Sequence, residues 1–218
     1  IRLSLVGSEM CIRDRASMVR TGEEIEFGKH GEKVIKIRKE SMTAEKMLRG
    51  DCQVICGRNS TRLSLNNDMR EYQGFDHILP VQNDKVICLR NNYDYGIVNG
   101  MFIRITKIID EGKTSFIGKI ERDEDYVAEA KNQILPLYKG YFEDHRNFDS
   151  DRRERDWKAM RGLIESTFGW AITCHKAQGS QWKNVIVMDE RIGKTKEDRR
   201  KWLYTAITRA QEGLVIAS

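Results

Sequence analysis

The 218-residue sequence lacks several features that would fix its class at once. No apolar run approaches the roughly 20 residues that a membrane-spanning helix requires, so we predict a chain with no membrane partner. No two cysteines form a Cys-x-x-Cys pair, and the four histidines are scattered along the chain. Because zinc ligands usually come in closely spaced pairs, the sequence predicts no metal site.

The cysteines indicate a reducing environment. There are five of them at irregular spacing, and three lie within apolar, strand-like runs: Cys56, Cys88 and Cys174. An odd count without regular spacing is not the pattern of a disulfide framework. We therefore predict buried free thiols and a cytoplasmic location.

Charge is abundant and nearly balanced. Charged residues make up 33% of the chain, hydrophobic residues 39%, and the net charge at pH 7 is +5. This composition is typical of a globular chain with a packed core. The small basic excess is compatible with a nucleic-acid partner, although an ordinary solvated surface explains it equally well.

The first fifteen residues, IRLSLVGSEMCIRDR, differ from the rest. They begin without methionine, fit neither a strand nor a helix well, and lack the apolar core and cleavage site of a signal peptide. They resemble a translated sequencing adapter. We therefore predict that residues 1–15 are not native and mark the place where a longer gene was interrupted.

From residue 16 the pattern is that of an α/β protein. The segment KVIKIRK at 33–39, in which apolar residues alternate with period two, and the segment CQVIC at 52–56 indicate strands. A Gly-Arg-Asn turn leads from the second run into a predicted helix with Ser60 as its N-cap and Gly74 at its end. Strand, turn and helix in this order form one unit of a parallel sheet.

The same pattern returns after Phe168. Strands are predicted at 171–174 and 184–188, followed by a helix over 196–211 and a last strand, LVIA. We expect five residues to pack this helix on the sheet, because they follow helical spacing: Trp202, Leu203, Ala206, Ile207 and Ala210.

Between the two α/β stretches the pattern changes. Two apolar runs flank the turn DEGK and predict an antiparallel pair of strands, and residues 121–160 are highly charged. We therefore predict that residues 16–100 and 165–218 form one sheet domain. Residues 101–164 would form an inserted small β module with a charged arm.

Two Gly-Lys-Thr sequences look at first like nucleotide-binding loops. A Walker A loop needs another glycine five residues earlier, so that backbone N–H groups can wrap the phosphates. Lys107 and Met188 occupy those positions, so we interpret neither sequence as such a loop. Without a Walker A loop, the run VIVMDE at 185–190 is interpreted as a core strand rather than as a Walker B strand.

Three other segments are more specific. They are TCHKAQGS at 173–180, KWLYTAITRA at 201–210 and CGRNSTRLSLN at 56–66. They resemble motifs V, VI and IV of superfamily 1 helicases, in particular the RecD-like and Dda-like DNA helicases with their UvrD-like C-terminal domain. Residues 84–100 resemble the stretch that leads from motif IV into the inserted domain of that family. The resemblance covers residues 16–218.

The resemblance implies a fold and partners. Family members have two RecA-like motor domains with ATP bound between them, and this chain resembles only the second. It would be a RecA-like parallel sheet with helices on both faces, as in P-loop NTPases, interrupted by a small β-barrel insertion. The Walker sequences and the ligands of the Mg²⁺ that accompanies ATP would lie in a missing N-terminal RecA-like domain of the same protein.

The resemblance also implies site residues. Arg209 matches the motif VI arginine, which stabilises charge on the γ-phosphoryl group during hydrolysis. A second arginine comes from motif IV, and the spacing fits either Arg58 or Arg62. The residues expected near the nucleotide are Gln178, Gly179, Tyr204 and Arg209. The residues expected to contact the backbone of single-stranded DNA are Thr173, His175, Lys176, Ser180 and Asn66.

These expectations define a predicted function. The chain would be the C-terminal motor domain of an ATP-dependent DNA helicase that translocates on single-stranded DNA and unwinds duplex DNA, and it would be inactive alone. One alternative is a motor that moves on RNA. Another is a non-catalytic nucleic-acid-binding module, against which the motif VI arginine argues, because a pure binding protein has no need of it.

Overall fold

The computed structural model describes residues 6–122, 133–143 and 160–218, with the side chains of 12–122, 133–142 and 160–218. In chain order, the strands of the described part are β1 (Gly28–His30), β2 (Val34–Ile37), β3 (Cys52–Cys56), β4 (Lys85–Cys88), β5 (Phe102–Glu111), β6 (Ser115–Arg122), β7 (Gln133–Tyr138), β8 (Ser166–Phe168), β9 (Ala171–Thr173), β10 (Trp182–Met188) and β11 (Ala210–Ala217). Its α-helices are α1 (Val6–Thr21), α2 (Ala44–Leu48), α3 (Asn59–Tyr72), α4 (Gly140–Glu143) and α5 (Lys196–Ile207).

The chain divides into two compact units. One combines Ile1–Tyr72 with Ala171–Ser218, and the other is Gln73–Trp170. Among the residues that the structure describes, no helix is both long and apolar enough to cross a membrane.

The first unit contains the predicted parallel sheet. Its six strands lie in the order β1-β2-β11-β10-β3-β9, and all neighbours are parallel except the β1–β2 hairpin. The consecutive β3 residues Gln53, Val54, Ile55 and Cys56 are all at most 1% exposed. Because neighbouring residues of a strand point to opposite faces, the centre of the sheet is covered on both sides.

Helix α1 corrects the expectation that the first fifteen residues fit no helix. Ile12, Ala16 and Val19 are buried at helical spacing, and α1 packs against α5 and β11. The helix ends at Thr21 and is followed by Gly22, whose φ of +94° is in the left-handed region and whose N–H donates to the carbonyl of Met18 at 3.0 Å. The prediction failed because the helical spacing of Ile12, Ala16 and Val19 crosses the boundary at residue 15 and is not visible in residues 1–15 alone.

Two helix ends also differ from the predictions. Helix α3 begins at Asn59, so Ser60 lies inside it and is not its N-cap. Helix α5 ends at Ile207 rather than at 211, because residues from Ala210 onwards pair with β10 as strand β11. Of the five residues predicted to pack α5, only Leu203 is not buried.

The start of α5 explains one of the Gly-Lys-Thr sequences. Thr195 is the N-cap, its hydroxyl accepts from the Asp198 N–H at 3.0 Å, and the Asp198 carboxylate accepts from the Thr195 N–H at 3.1 Å. This reciprocal pair is a capping box. The sequence therefore begins a helix and does not wrap a phosphate.

The second unit is an antiparallel sheet in the order β7-β6-β5-β4-β8. The predicted hairpin is present as β5 and β6. Strand β4 lies within residues 16–100, which were expected to form the parallel sheet, but it pairs instead with β5 and β8. Val86 of β4 is opposite both Ile103 and Phe168. The second unit, Gln73–Trp170, therefore begins earlier and ends later than the predicted 101–164.

The edges of this sheet approach each other at one point. Ile164, just before β8, forms a bridge with Leu137 of β7, and its N–H donates to the Pro136 carbonyl at 2.8 Å. A closed barrel stays a prediction. Most of the predicted charged arm at 121–160 lies outside the described residues.

Candidate functional site

The candidate site lies around β10 in the first unit. β3 and β10 are neighbours, but the helices that follow them pack on different strands: α3 contacts β9, and α5 contacts β10 and β11. In open α/β sheets, ligands bind at the carboxyl edge, at the point where the connections that follow two neighbouring strands lead to opposite sides of the sheet. The loops after β3 and β10 therefore occupy the edge where a ligand is expected.

The Glu190 carboxylate joins these two loops, and its side chain is 1% exposed. Its Oε2 accepts from the backbone N–H groups of Gly57 at 2.6 Å and Arg58 at 3.0 Å. Its Oε1 accepts from the Thr61 hydroxyl at 2.5 Å and from Arg58 Nη1 at 3.2 Å. We call this set of contacts the Glu190 clamp.

Hydrogen bonds keep the clamp ionised. Burial alone would raise the pKa of Glu190, but the hydroxyl of Thr61, the two backbone N–H groups and the charge of Arg58 together outweigh it. The pKa of Glu190 therefore lies below its ordinary value, and the group is a carboxylate at neutral pH.

Glycine at position 57 allows the two loops of the clamp to approach closely. A Cβ there would lie 2.2 Å from Ile192 Cγ1 and 3.1 Å from Glu190 Oε2. Without a side chain, the backbone of Gly57 can approach both residues.

The two candidate motif IV arginines have different surroundings. The Arg58 side chain is 59% exposed at the carboxyl edge, with Glu190 as its acidic partner. Arg62 lies one helical turn later, is only 5% exposed, and donates from Nε to Asn59 Oδ1 at 3.4 Å.

The segment that connects β9 to β10 begins at the carboxyl edge of the sheet, where the Cys174 N–H donates to the Cys56 carbonyl at 2.9 Å, and ends at the amino end of β10. We call residues 174–181 the crossover, because β3 lies between β9 and β10 in the sheet. It forms a helical turn in which the Ala177 N–H donates to the Thr173 carbonyl at 3.1 Å. Cys174 and Ala177 are buried, whereas His175 and Gln178 are exposed.

Gly179 of the crossover is also exposed, and its φ of +89° favours glycine. The small residues Cys174 and Ala177 anchor the turn from inside, which leaves its polar side chains on the outside. This arrangement explains why so many polar residues lie between two buried strands.

Arg209 lies in the turn between α5 and β11 and holds the end of the crossover. Its guanidinium donates from Nε to the Thr205 carbonyl at 3.1 Å, from Nη1 to the Ser180 carbonyl at 3.3 Å, and from Nη2 to the Thr208 hydroxyl at 3.2 Å. All three acceptors are neutral, and Arg209 has no carboxylate partner among the residues that the structure describes. Its charge is thus fixed in place but not neutralised.

The charge of Arg209 also reaches the buried thiol of the crossover. Burial raises the pKa of Cys174 to about 11, and the Arg209 guanidinium acts in the opposite direction. The same burial raises the pKa values of Cys56 and Cys88 to about 12. The prediction of buried thiols is therefore confirmed for all three cysteines.

The other predicted site residues vary in exposure. Thr173 is buried, and Lys176, Ser180 and Tyr204 are half-buried. Asn66 is 2% exposed: its amide donates to the carbonyls of Arg62 at 2.7 Å and Ala171 at 2.9 Å and accepts from the Ala171 N–H at 3.1 Å. The Asn66 amide therefore anchors β9, and we do not carry it into the proposed DNA-binding set.

Arg58 and Arg209 thus lie in the loops at the two ends of β10, and the crossover runs between these ends: it begins beside Cys56, and its Ser180 carbonyl accepts from Arg209. The sequence reasoning missed Glu190 and Thr61, although the acidic pair after β10 was a visible signal. The described residues contain no group of three or more His, Cys, Asp or Glu side chains that could hold a metal ion.

The parallel sheet with its crossover connections makes the first unit a RecA-like α/β domain. Residues 168–217 match the family of UvrD-like helicase C-terminal domains. This range contains the crossover, α5, Arg209 and β11. The match confirms the resemblance to superfamily 1 helicases that the sequence motifs indicated.

Solved structures share the fold. A Pif1 helicase structure from work on DNA unwinding at forked double-stranded DNA matches 95% of this chain and 46% of its own, with 14% identity and a TM-score of 0.52. The likeness supports the predicted RecA-like fold class. A second match is Pif1 from Bacteroides in complex with ADP-AlF₃ and single-stranded DNA, with 15% identity, a TM-score of 0.48, and coverage of 100% of this chain and 49% of its own.

A curated relative is an uncharacterized protein of Methanocaldococcus jannaschii, which is 28% identical over 148 residues. The match covers 61% of this chain and 10% of the relative. The chain therefore spans about half the length of the Pif1 chains and a small part of the relative.

Proposed function

We propose that this chain is the second motor domain of an ATP-dependent helicase that moves along single-stranded DNA. The observation that carries the proposal is Arg209. Its guanidinium is held by three neutral acceptors within the segment that matches the helicase family, and no carboxylate of the described residues neutralises it.

The chemistry of Arg209 suits phosphoryl transfer. Negative charge spreads over the γ-phosphoryl oxygens as ATP is hydrolysed, and a fixed guanidinium stabilises it without having to reorganise. The ATP-binding loop would come from a first motor domain, and Mg²⁺ bound there would neutralise further phosphate charge. Arg209 would complete the site from the facing side.

The crossover would connect DNA to this reaction. Its exposed or half-exposed His175, Lys176 and Ser180 suit contacts with phosphates, which bind without sequence preference. Gln178 and Gly179, with Tyr204 of α5, would lie towards the nucleotide. Because Arg209 donates to the Ser180 carbonyl, a shift of the crossover on binding DNA would also move the guanidinium.

The comparisons support a motor rather than a simple binding module. The family match is to helicase C-terminal domains, and the Pif1 helicase that shares the fold is described in connection with DNA unwinding. We therefore propose a DNA track, and an RNA track is the alternative outcome of the binding experiment.

The proposal can be tested on the 218-residue chain by fluorescence anisotropy with labelled dT and rU oligonucleotides at several salt concentrations. We expect binding to dT, and a Lys176→Ala variant should reduce the salt slope by about 1, as the loss of one phosphate contact does. The matched control is Lys29→Ala, which removes the same charge from an exposed position on β1.

Three results would count against the proposal. Failure to bind either oligonucleotide would contradict the motor function, and a clear preference for rU would move it to RNA. A phosphate-release assay with single-stranded DNA should show no turnover by this chain, and turnover would refute the requirement for a first motor domain.

A further inference from the structure

We propose that Glu190 is the exchangeable counter-ion of Arg58: it holds the guanidinium until a nucleotide phosphate takes its place, so that Arg58 and not Arg62 is the phosphate-binding arginine of this edge. The inference rests on the proposed nucleotide-dependent function. It adds a residue, Glu190, that neither the sequence motifs nor the family match assigns.

The geometry of the Glu190 clamp allows Arg58 to leave while Glu190 stays. Oε2 is held by the backbone N–H groups of Gly57 and Arg58, and Oε1 keeps the Thr61 hydroxyl at 2.5 Å. If the Arg58 side chain turned away, the buried carboxylate would retain three hydrogen-bond donors. The exchange therefore does not leave the buried Glu190 carboxylate without partners, which would cost free energy.

The Arg58 side chain is suited to exchange. It contacts Glu190 through Nη1 alone, at 3.2 Å, while 59% of its surface is exposed. An ion pair whose arginine is this exposed to water contributes little stability. Its Nε and Nη2 have no partner within the described residues, and a guanidinium can bind two oxygens of one phosphate in a fork.

Arg62 is placed differently. It is 5% exposed on the inner side of α3, and its Nε donates towards Asn59. Reaching a phosphate at the edge would require this side chain to leave its buried position, which Arg58 does not need to do.

A purely structural role for Glu190, as a tie between two loops, predicts the opposite effect of its removal. If removal of Glu190 only loosened the loops, the affinity for phosphate would fall or stay the same. Loss of a competing counter-ion should instead make phosphate binding tighter, because Arg58 no longer has to be released and a nearby negative charge is gone. The direction of the change in affinity therefore separates the two roles.

The experiment follows the arginine Nε–Hε signals of the 218-residue chain by nuclear magnetic resonance during titration with tripolyphosphate. The variants are Glu190→Gln and Arg58→Gln. The matched control is Asp189→Asn, since the neighbouring Asp189 accepts from the Arg191 N–H at 3.1 Å and from the Ser218 hydroxyl at 3.0 Å and does not contact Arg58.

We expect the Arg58 signal, and not that of Arg62, to shift in the wild-type chain and in the control with the same Kd. Glu190→Gln should bind roughly two- to fivefold more tightly, in line with the small strength of an ion pair whose arginine is exposed to water. Arg58→Gln should lose this binding. In the wild-type chain the ¹³C signal of the Glu190 carboxyl should move with the same Kd, which tests the exchange even if the Glu190 variant does not fold.

Several results would overturn the inference. They are unchanged or weaker binding by a folded Glu190→Gln chain, a response at Arg62 instead of Arg58, a Glu190 signal that does not move, or no arginine response in the wild-type chain. Binding of single-stranded DNA is measured separately, so each of these results can occur while the proposed motor function stands.

Discussion

The two ends of β10 each carry an arginine, and the two arginines are held in opposite ways. At the carboxyl end, Arg58 pairs with the buried carboxylate of Glu190. At the amino end, Arg209 donates to two carbonyls and a hydroxyl, and no acid of the described residues faces it.

The difference shows how a protein can orient a cation with or without neutralising it. Neutral acceptors fix the direction of the Arg209 guanidinium and leave its full charge for an incoming anion. A carboxylate orients Arg58 but compensates its charge, so an anion must compete for it. The two sites should therefore respond differently to substitution.

The largest expected effect is at Arg209. In a protein that joins this chain to a first motor domain, Arg209→Ala should lower kcat by about 10³–10⁵-fold, the range found for arginines that stabilise phosphoryl transfer. Nucleotide affinity should change little, because the interaction acts mainly in the transition state. Steady-state ATP turnover and equilibrium nucleotide binding measure the two quantities.

The control for this prediction is Arg199→Ala, an exposed arginine of α5 whose Nε donates to the Gly193 carbonyl. It should keep wild-type turnover. If Arg209→Ala also retains turnover within tenfold of the wild type, the uncompensated charge has no catalytic use, and the contrast between the two ends of β10 is only structural.

The next effect is on stability at the carboxyl end. Glu190→Ala should lower the free energy of unfolding by about 3 kcal/mol at pH 7, because it removes a buried charged acceptor and leaves its donors unpaired. The pKa of Glu190 is lowered in the folded state relative to about 4.5. The stabilisation is therefore complete above pH 4.5 and is lost as the pH falls through the lower, folded-state pKa.

Urea unfolding of wild type and variant at pH 7, 5 and 3 would measure this dependence. The difference between the two chains should be constant at pH 7 and 5 and smaller at pH 3. A difference that does not depend on pH would mean that Glu190 contributes through packing rather than through its charge.

Much of the fold could be predicted from the sequence where the signal is local. Four of the five residues of β3 are apolar, as expected of a strand that is covered on both faces, and this composition predicted its observed bounds of 52–56. Errors arose where a distant partner decides the structure. The pairing of β4 with β5 and β8, and the pairing that draws Ala210 and Gln211 into β11, depend on contacts that no local pattern contains.

The candidate site shows the same division. The turn residues of the crossover and the position of Arg209 follow from motifs that are short in sequence. The Glu190 clamp could not be predicted, because Glu190 and Gly57 are 133 positions apart and meet only when β3 and β10 become neighbours in the sheet. An acidic pair after a strand indicates an exposed end as readily as it indicates a buried acceptor.

The smallest expected effect tests how closely the two loops of the clamp must approach. Gly57→Ala should destabilise the chain by about 1–2 kcal/mol in urea unfolding, because its methyl group would lie 2.2 Å from Ile192 Cγ1 and 3.1 Å from Glu190 Oε2. The control is Gly112→Ala, whose Cβ would meet nothing closer than the Ser115 carbonyl at 3.4 Å, and it should change stability by less than about 0.5 kcal/mol.

Combining Gly57→Ala with Glu190→Ala separates the effects of crowding against Ile192 and against Glu190. If crowding against Glu190 contributes, the double variant should lose less free energy of unfolding than the two single variants lose together. If the two losses simply add, the whole cost of Gly57→Ala comes from crowding against Ile192.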